Sequence, residues 1–545
     1  MPRLSGEGGA ASLWRPLRGA TFRNLLLASA VSDIGSFMQA VGAAWLMVSF
    51  GAGPMYIALT QTASSLPFVL LSLPAGAVGD IVDRRKLLLR TEVWMLGVAV
   101  ALSAAAIAGA MSPWLLLVLT FALSAGDAFE APTWRALFPD LVQKDDLPAA
   151  AALNGIEFNL ARAVGPGLAG LMIAAFGIAP VFVLNAVSFI GVIFVIAGWK
   201  RPHRRRAEPV ETMWGATVAA IRYVRYSPHL RTLLLRTGSV AFFASALLAL
   251  LPAVARQVSG RAIGYGILLG CFGTGAIGGG LMMRVARVRM STEGIVATGT
   301  LLLGLATLGT GSVRTLGALV VLAFLGGAAW IVFVSVLSAL SQALTPDWVR
   351  ARAQAMYILV FQGSIAAGSA VWGGVAERMG LRLALLAAGA GTAATVVLRF
   401  RARLPDAPAD LSIWPHWRVP SVPPDREPDV DEGPVLVTVE YQVEPDHVAG
   451  FIAAVHQFQR VRRRDGARSW GIYYDRETPG RYLETFLVAS WAEHLRQHAR
   501  LTQADRALEA RVMSHVHGEP QPHHFVYARS ARSFAKSRPK TRPSN

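Results

Sequence analysis

Three stretches of this chain contain no charged residue at all: 34–79, 93–126 and 163–199, which are 46, 34 and 37 residues long. Each is long enough for two helices of about 20 residues, the length that crosses a bilayer. Each also carries a turn signal near its middle, GAGP at Gly51, GAMSP at Gly109 and GIAP at Gly177. The runs therefore predict membrane-crossing helical hairpins. With 53% hydrophobic and only 16% charged residues, the chain as a whole sits far from the balance of a soluble domain.

The same reasoning carried along the sequence predicts twelve spans: 22–50, 54–79, 87–109, 113–138, 150–176, 179–199, 230–256, 262–284, 292–312, 315–344, 348–376 and 380–399. RNLLLASA, from Arg23, has the basic, apolar and small-residue order of a signal peptide. The apolar stretch runs on past Ala30 to Phe50, so it is read as the first span. The predicted organisation is a cytoplasmic N-terminus (1–21), a six-helix half (22–199), a connector (200–229), a second six-helix half (230–403), a Pro- and acid-rich linker (404–433), a soluble domain (434–528) and a basic tail (529–545).

A net charge of +18 suggests nucleic acid only until its distribution is read. Lys and Arg concentrate in the N-terminus and the even-numbered loops, which places those loops and both termini in the cytoplasm. The cluster KRPHRRR, Lys200–Arg206, then serves as an orientation signal beside lipid headgroups, and no nucleic-acid partner is expected. The single cysteine, Cys271, falls inside span eight, so no disulfide framework exists and its role is packing.

Between the first two charge-free runs, PAGAVGDIVDRRKLLLR (74–90) packs Asp80, Asp83, Arg84, Arg85, Lys86 and Arg90 together. Basic residues alone set topology, so Asp80 and Asp83 call for another role. Asp80 and Arg84 are four apart and can pair on a helix end. Thr345 with Pro346 reads as the cap and first position of span eleven, which leaves a positive helix end nearby. The halves also echo each other. FPDLVQK at Phe138 precedes span five and TPDWVRA at Thr345 precedes span eleven, while Gly76 and Asp80 match Gly280 and Arg284.

Ionisable groups inside spans cost roughly 2.5–3.5 kcal/mol each on the insertion scale, so those present have a reason to be there. Asp33 lies in span one, Asp127 and Glu130 in span four, Glu157 and Arg162 in span five. Asp127 and Glu130 share a helix face. Spans seven to twelve offer Gln362 as their main polar candidate. A carboxyl that alternates between a desolvated setting and one beside a cation binds and releases a proton. Asp33 is the first choice for that work, having no basic residue near it in its own helix, and Glu130 the second. The competing reading is a static ion pair of Arg162 with Glu157 or Asp127. GPGLAG, 165–170, places Pro166 inside a helix between Gly165 and Gly170, which suits close helix contact. Gln39, Trp45, Gln61, Asn159, Asn185, Trp330 and Phe361 are candidates for a central cavity or for packing.

These residues carry a family resemblance. Gly76, Asp80, Arg84, Arg85 and Lys86 between spans two and three resemble the signature loop of the major facilitator superfamily, and RAVGPGLAG at Arg162 is similar to the glycine-proline motif of its proton-coupled exporters. With AFEAPTWRALFPDLV (128–142) and QALTPDWVRARAQAMYILVFQG (342–363), residues 20–405 resemble the bacterial transmembrane secretion effector branch, which includes enterobactin exporters. The resemblance implies that Asp80 latches the N-terminal half to the C-terminal half at span eleven, with Asp140 as a second partner for Arg84.

After the linker, VLVTVEYQV, SWGIYYD, RYLETFLVAS and HHFVYA alternate as strands, and the stretches after the first and third read as helices. The order βαββαβ is the ferredoxin-like split unit. It resembles the dimeric α/β-barrel domains of antibiotic-biosynthesis monooxygenases. His494 and His498 are one helical turn apart, but the sequence fixes no third metal ligand, so neither metal nor cofactor is expected and no catalytic residue stands out. The domain is expected to regulate or to dimerise the chain.

The expected fold is thus an all-α polytopic membrane protein with twelve helices in 6+6 pseudo-symmetric halves, followed by an α+β ferredoxin-like domain. The expected function is proton-coupled export of small amphipathic molecules through the inner membrane of a bacterium, with protons, lipid and a small-molecule substrate as partners. The alternatives are a proton-coupled importer and a transporter fused to a cofactor-independent monooxygenase-like domain.

Overall fold

The computed structural model describes residues 13–199, 213–406, 410–412, 414, 432–498 and 500–527; the basic cluster at 200–206, most of the linker and the basic tail lie outside them. Among the described residues twelve helices are long and apolar enough to cross a membrane. The first six are α1 (Ala20–Ser49), α2 (Pro54–Ile81), α3 (Arg84–Ile107), α4 (Pro113–Leu141), α5 (Leu147–Phe176) and α6 (Ala179–Gly198). A further helix, α7 (Met213–Tyr226), lies in the connector. Spans seven to twelve follow as α8 (Pro228–Ser259), α9 (Ala262–Arg289), α10 (Thr292–Ser312), α11 (Leu316–Ala343), α12 (Arg350–Met379) and α13 (Leu381–Ala394), the last continued by a 3-10 turn to Phe400.

The sequence explains these boundaries. Gly51, Gly109 and Gly177, the three turn glycines, all adopt positive φ (70°, 65° and 83°), a conformation that costs glycine nothing. Pro54 and Pro113 then open the next helices, where their missing N–H is not needed. Outward-facing apolar side chains within the spans fit a lipid medium: Phe194 is 80% and Leu281 75% exposed.

Two expectations are corrected. Span eleven does not begin at Pro346. Its helix starts at Arg350 after a turn, and the Thr345 hydroxyl donates to the Ser341 carbonyl at 2.5 Å instead of capping it. The connector is also not all loop, since α7 occupies its second half.

The chain divides into two compact units. The first holds the bulk of the spans. Within it α1 packs on α5 and α6, α2 and α3 on α4, α10 on α13, and α5 on α9. A buried ion pair ties the second half together: Arg236 of α8, 2% exposed, donates to Glu293 in the first turn of α10, and Glu293 also accepts from the Leu404 backbone N–H at 3.0 Å. Removing one partner of such a pair strands the other charge, so Glu293→Gln is expected to cost about 3–5 kcal/mol, read as a lowered unfolding midpoint in detergent.

The second unit gathers Pro209–Arg231, Ser341–Ala353 and Ala407–Asn545. Its domain runs β1 (Val435–Gln442), α14 (Val448–Asp465), β2 (Ser469–Tyr474), β3 (Arg481–Val488), α15 (Trp491–His498), α16 (Gln503–Met513) and β4 (His517–Val526). The sheet order is β2-β3-β1-β4 with every neighbouring pair antiparallel. Alternate β1 residues Val435, Val437, Val439 and Tyr441 pack with Phe451, Val455 and Phe458 of α14. The long helix expected after β3 is two helices, because Thr502 and Asp505 form a reciprocal capping box that starts α16. The linker is not wholly extended away from the domain: Ser412 and Asp410 carbonyls accept from Gln503 and Ala504 N–H at 3.0 and 2.9 Å.

Candidate functional site

The carboxylates singled out in spans one, four and five converge inside the first half, together with one that sequence reasoning missed. The carboxyl groups of Asp33 in α1 and Glu157 in α5 meet side chain to side chain. Those of Glu92 in α3 and Glu130 in α4 do the same. Asp127 lies close enough to act electrostatically on Glu92 and Glu130, and Asp33 on Asp127, so the five form one array across four helices. Glu92 and Glu157 are 2% and 8% exposed, and both oxygens of Glu157 lack a hydrogen-bond donor from the protein. A carboxyl facing another carboxyl with no donor between them is satisfied by a proton shared between the two.

The static ion pair is not found. Among the described residues no ion pair joins Arg162 to Glu157 or Asp127; its guanidinium lies 5.7 Å from the centre of the Phe272 ring of α9. Several cavity candidates are occupied by packing. Asn185 of α6 donates to Gln39 of α1 and the pair is buried, while Asn159 donates to its own helix at the Gly155 carbonyl, 2.7 Å away. In the second half Trp330 meets Phe361 at 5.9 Å between ring centres, and Phe361 stacks on Tyr357 at 6.2 Å. Gln362, next to Phe361 in sequence, is half-buried.

The halves meet through glycine. A Cβ on Gly170 of α5 would lie 2.9 Å from the Gly266 Cα of α9, and one on Gly273 would lie 2.7 Å from the Ala163 Cα. Gly165 faces α1 instead, its Cβ position 2.8 Å from Phe37. The motif with Pro166 therefore makes backbone-close contacts on two helices. At the ends away from the basic loops the α1–α2 turn is also gripped from both sides. Arg256 of α8 donates to the Val48 carbonyl at 3.0 Å, and Glu377 of α12 accepts from the Met55 N–H at 3.2 Å. Each charge complements the helix end it touches.

In the charged loop Asp83 has a plain role: it caps α3, accepting from the Lys86 N–H at 3.1 Å. Arg85 caps the other end of a neighbour, its Nε donating to the Ile196 carbonyl of α6 at 3.0 Å. Gly76 and Asp80 fall in the last turns of α2 and Asp140 in the last turn of α4; the side chains of Asp80 and Asp140 lie outside the described residues.

In the C-terminal domain Glu484, fully buried, accepts from Tyr441 at 2.8 Å, Trp470 at 2.8 Å and Arg462 at 3.2 Å. The His494 and His498 Nε2 atoms are 3.4 Å apart. Among the described residues no three His, Cys, Asp or Glu are grouped to hold a metal. Burial, with His524, His498 and Arg462 nearby, pushes the pKa of His494 down to about 3. It stays neutral in the folded domain, whereas the unfolded chain takes up its proton near 6.5. The domain is therefore expected to lose stability as pH falls from about 6.5 toward 3, by a few kcal/mol in all. Hydrogen-exchange protection of β1 across that range checks this, and His494→Gln should flatten the dependence.

Solved membrane transporters share this helical arrangement. A bacterial homolog of the human lysosomal transporter Spinster, in an inward-facing unoccupied conformation, superposes with a TM-score of 0.55 over 71% of this chain and 96% of its own, at 16% identity. The nucleoside transporter NupG, as its D323A mutant, gives 0.59 over 70% and 99% at 11% identity. The fold is thus that of these multi-pass membrane proteins. The chain belongs to the transmembrane secretion effector family, whose pattern it matches over residues 11–533. That match runs through the C-terminal domain as well as the spans.

Among curated relatives, the Staphyloferrin A transporter of Staphylococcus aureus is 25% identical over 166 residues, 30% of this chain and 42% of the relative. The multidrug efflux pump Tap of Mycolicibacterium fortuitum is 26% identical over 219 residues, 38% and 53%. Macrolide efflux protein A of Streptococcus pyogenes is 23% identical over 172 residues, 32% and 41%. The chain spans about half the length, or less, of these relatives.

Proposed function

We propose that the protein is a proton-coupled exporter of small amphipathic molecules, working by alternating access in a bacterial cell membrane with both termini cytoplasmic. The carrying observation is the carboxyl array, above all the Asp33–Glu157 pair, which among the described residues has no donor on Glu157 and no arginine paired to it. A proton held between two carboxyls is released when a substrate cation or an incoming water separates them. Phe361, half-buried against the buried rings of Trp330 and Tyr357, is the member of the aromatic row that an apolar substrate body could touch. Relatives named for a siderophore, for macrolides and for multiple drugs fit this substrate class.

The domain after the linker is read as ferredoxin-like, and as regulatory or dimerising rather than enzymatic. Its strand order and antiparallel pairing support the first. Full use of the Glu484 carboxylate in the core supports the second. The open sheet face bearing Leu436, Tyr473 and Phe525 suits a second copy of the domain.

Asp80 is the proposed latch of the cytoplasmic side. Asp80→Asn is expected to insert normally yet transport more slowly; transport at the full rate would remove the latch. The function as a whole is tested in everted membrane vesicles given labelled erythromycin, a ferric hydroxycarboxylate siderophore and ethidium. Uptake of at least one that collapses when the proton gradient is dissipated supports export; gradient-independent behaviour towards all three opposes it.

A further inference from the structure

Three segments remote in sequence come together in the second unit: the connector helix α7, the turn 344–349 that leads from span ten into span eleven, and the C-terminal domain. Arg222 of α7 donates to Glu493 Oε1 at 2.7 Å and to the Arg464 carbonyl at 3.1 Å. Its neighbour Tyr223, 3% exposed, donates its hydroxyl to the Leu344 carbonyl at 3.1 Å and meets the Trp348 ring edge-on at 5.7 Å. The Arg464 guanidinium stands 5.6 Å from the centre of the Tyr223 ring, and that of Arg500 stands 4.5 Å from Trp348. Two rings from outside the domain are thus held between two of its arginines.

Those arginines are themselves fixed. Arg464 pairs with Asp465 and Asp505 at 2.8 Å each, and Arg500 donates to Glu493 and the Asp465 carbonyl at 2.8 Å. Glu493 keeps its charge, since Arg500 and Arg222 outweigh the burial that acts against it and hold its carboxyl below the usual range. A domain serving only to join two copies has no need of a preorganised grip on the turn before span eleven. The connector is the chain's covalent route into the second half and the turn joins two spans of that half, so a body bound to both biases whichever arrangement of the halves it fits better.

We propose that the C-terminal domain is a built-in regulator, gripping α7 and the turn before span eleven through Arg222–Glu493, Tyr223 and Trp348, so that its grip sets the balance between states of the transporter. The inference rests on the alternating-access reading above, but its test needs no substrate. The whole chain, in a Cys271→Ser background with Gly363→Cys, is placed in lipid nanodiscs and labelled with N-ethylmaleimide. Position 363 faces Val69 of α2 at 3.5 Å, so its labelling reports separation of the halves.

Arg222→Glu and Trp348→Ala are each expected to raise hydrogen exchange at 344–349 and to change the labelling rate roughly 5-fold or more, within the range of coupled sites. Arg222→Lys should stay near the parent, and unchanged exchange in β1 and β3 shows that the domain remains folded. Raised exchange at 344–349 with an unchanged labelling rate would make the contact a mere tether and overturn the proposal. Unchanged exchange at 344–349 in both variants would overturn it too. A parent that shows these effects but no proton-driven export would refute the transport reading alone.

Discussion

Asp33→Asn is expected to abolish the dependence of transport on the proton gradient while leaving a folded protein. Asparagine keeps the shape and can still hydrogen-bond to Glu157, so the α1–α5 contact survives. It cannot take up or release a proton. Coupled sites influence each other by roughly 5- to 150-fold in affinity, and in the variant that factor should fall towards one. Glu157→Gln, the other member of the pair, should do the same. Glu130→Gln tests the second pair and is expected to weaken coupling less, because Glu92 and Asp127 remain beside it. Full gradient dependence in Asp33→Asn would refute the assignment.

Gly266→Val is expected to have the other large effect. A Cβ at Gly266 would lie 2.8 Å from the Gly170 Cα and 2.9 Å from the Pro166 carbonyl oxygen, and neither is the end of a flexible side chain. Overpacking of this kind costs about 1–3 kcal/mol. The contact joins α5 to α9 across the halves, so the cost falls on the state in which they are closed there. The equilibrium between states should shift by roughly 5- to 150-fold, with a matching loss of transport. Gly167→Val is the control, since a Cβ at Gly167 meets nothing within 4 Å. Equal transport by the two variants would contradict the role given to the contact.

The spans were legible in the sequence because lipid forbids charge and demands long helices, and because Gly51, Gly109 and Gly177 mark turns that need positive φ. The C-terminal strands were legible from alternation. The helix α7 was not: its 14 residues are amphipathic and sit behind a basic cluster that reads as loop. The split between α15 and α16 was hidden because Thr502 and Asp505 form a capping box inside a stretch that is otherwise continuously helix-favouring.

The site was half legible. Charges within spans pointed to Asp33, Asp127, Glu130 and Glu157, yet linear spacing pairs only residues of one helix. It could not show Asp33 against Glu157. Glu92 escaped because it lies two turns from Arg84, where a carboxylate reads as part of the charged loop; its neighbour across the interface, Glu130, is what makes it part of the array. Arg162 misled in the opposite sense, its sequence neighbourhood suggesting an ion pair where the fold supplies the face of Phe272.

The central claim is that Asp33 and Glu157 hold an exchangeable proton between them. Infrared spectroscopy of the purified protein in lipid at neutral pH, recorded in H2O and D2O, tests it most directly. The account predicts a carboxylic-acid carbonyl band that shifts on deuteration and loses the Asp33–Glu157 share of its intensity when Asp33→Asn and Glu157→Gln are combined, the Glu92–Glu130 pair supplying what remains. A spectrum with no such band, or a band that survives unchanged in that double variant, would contradict it.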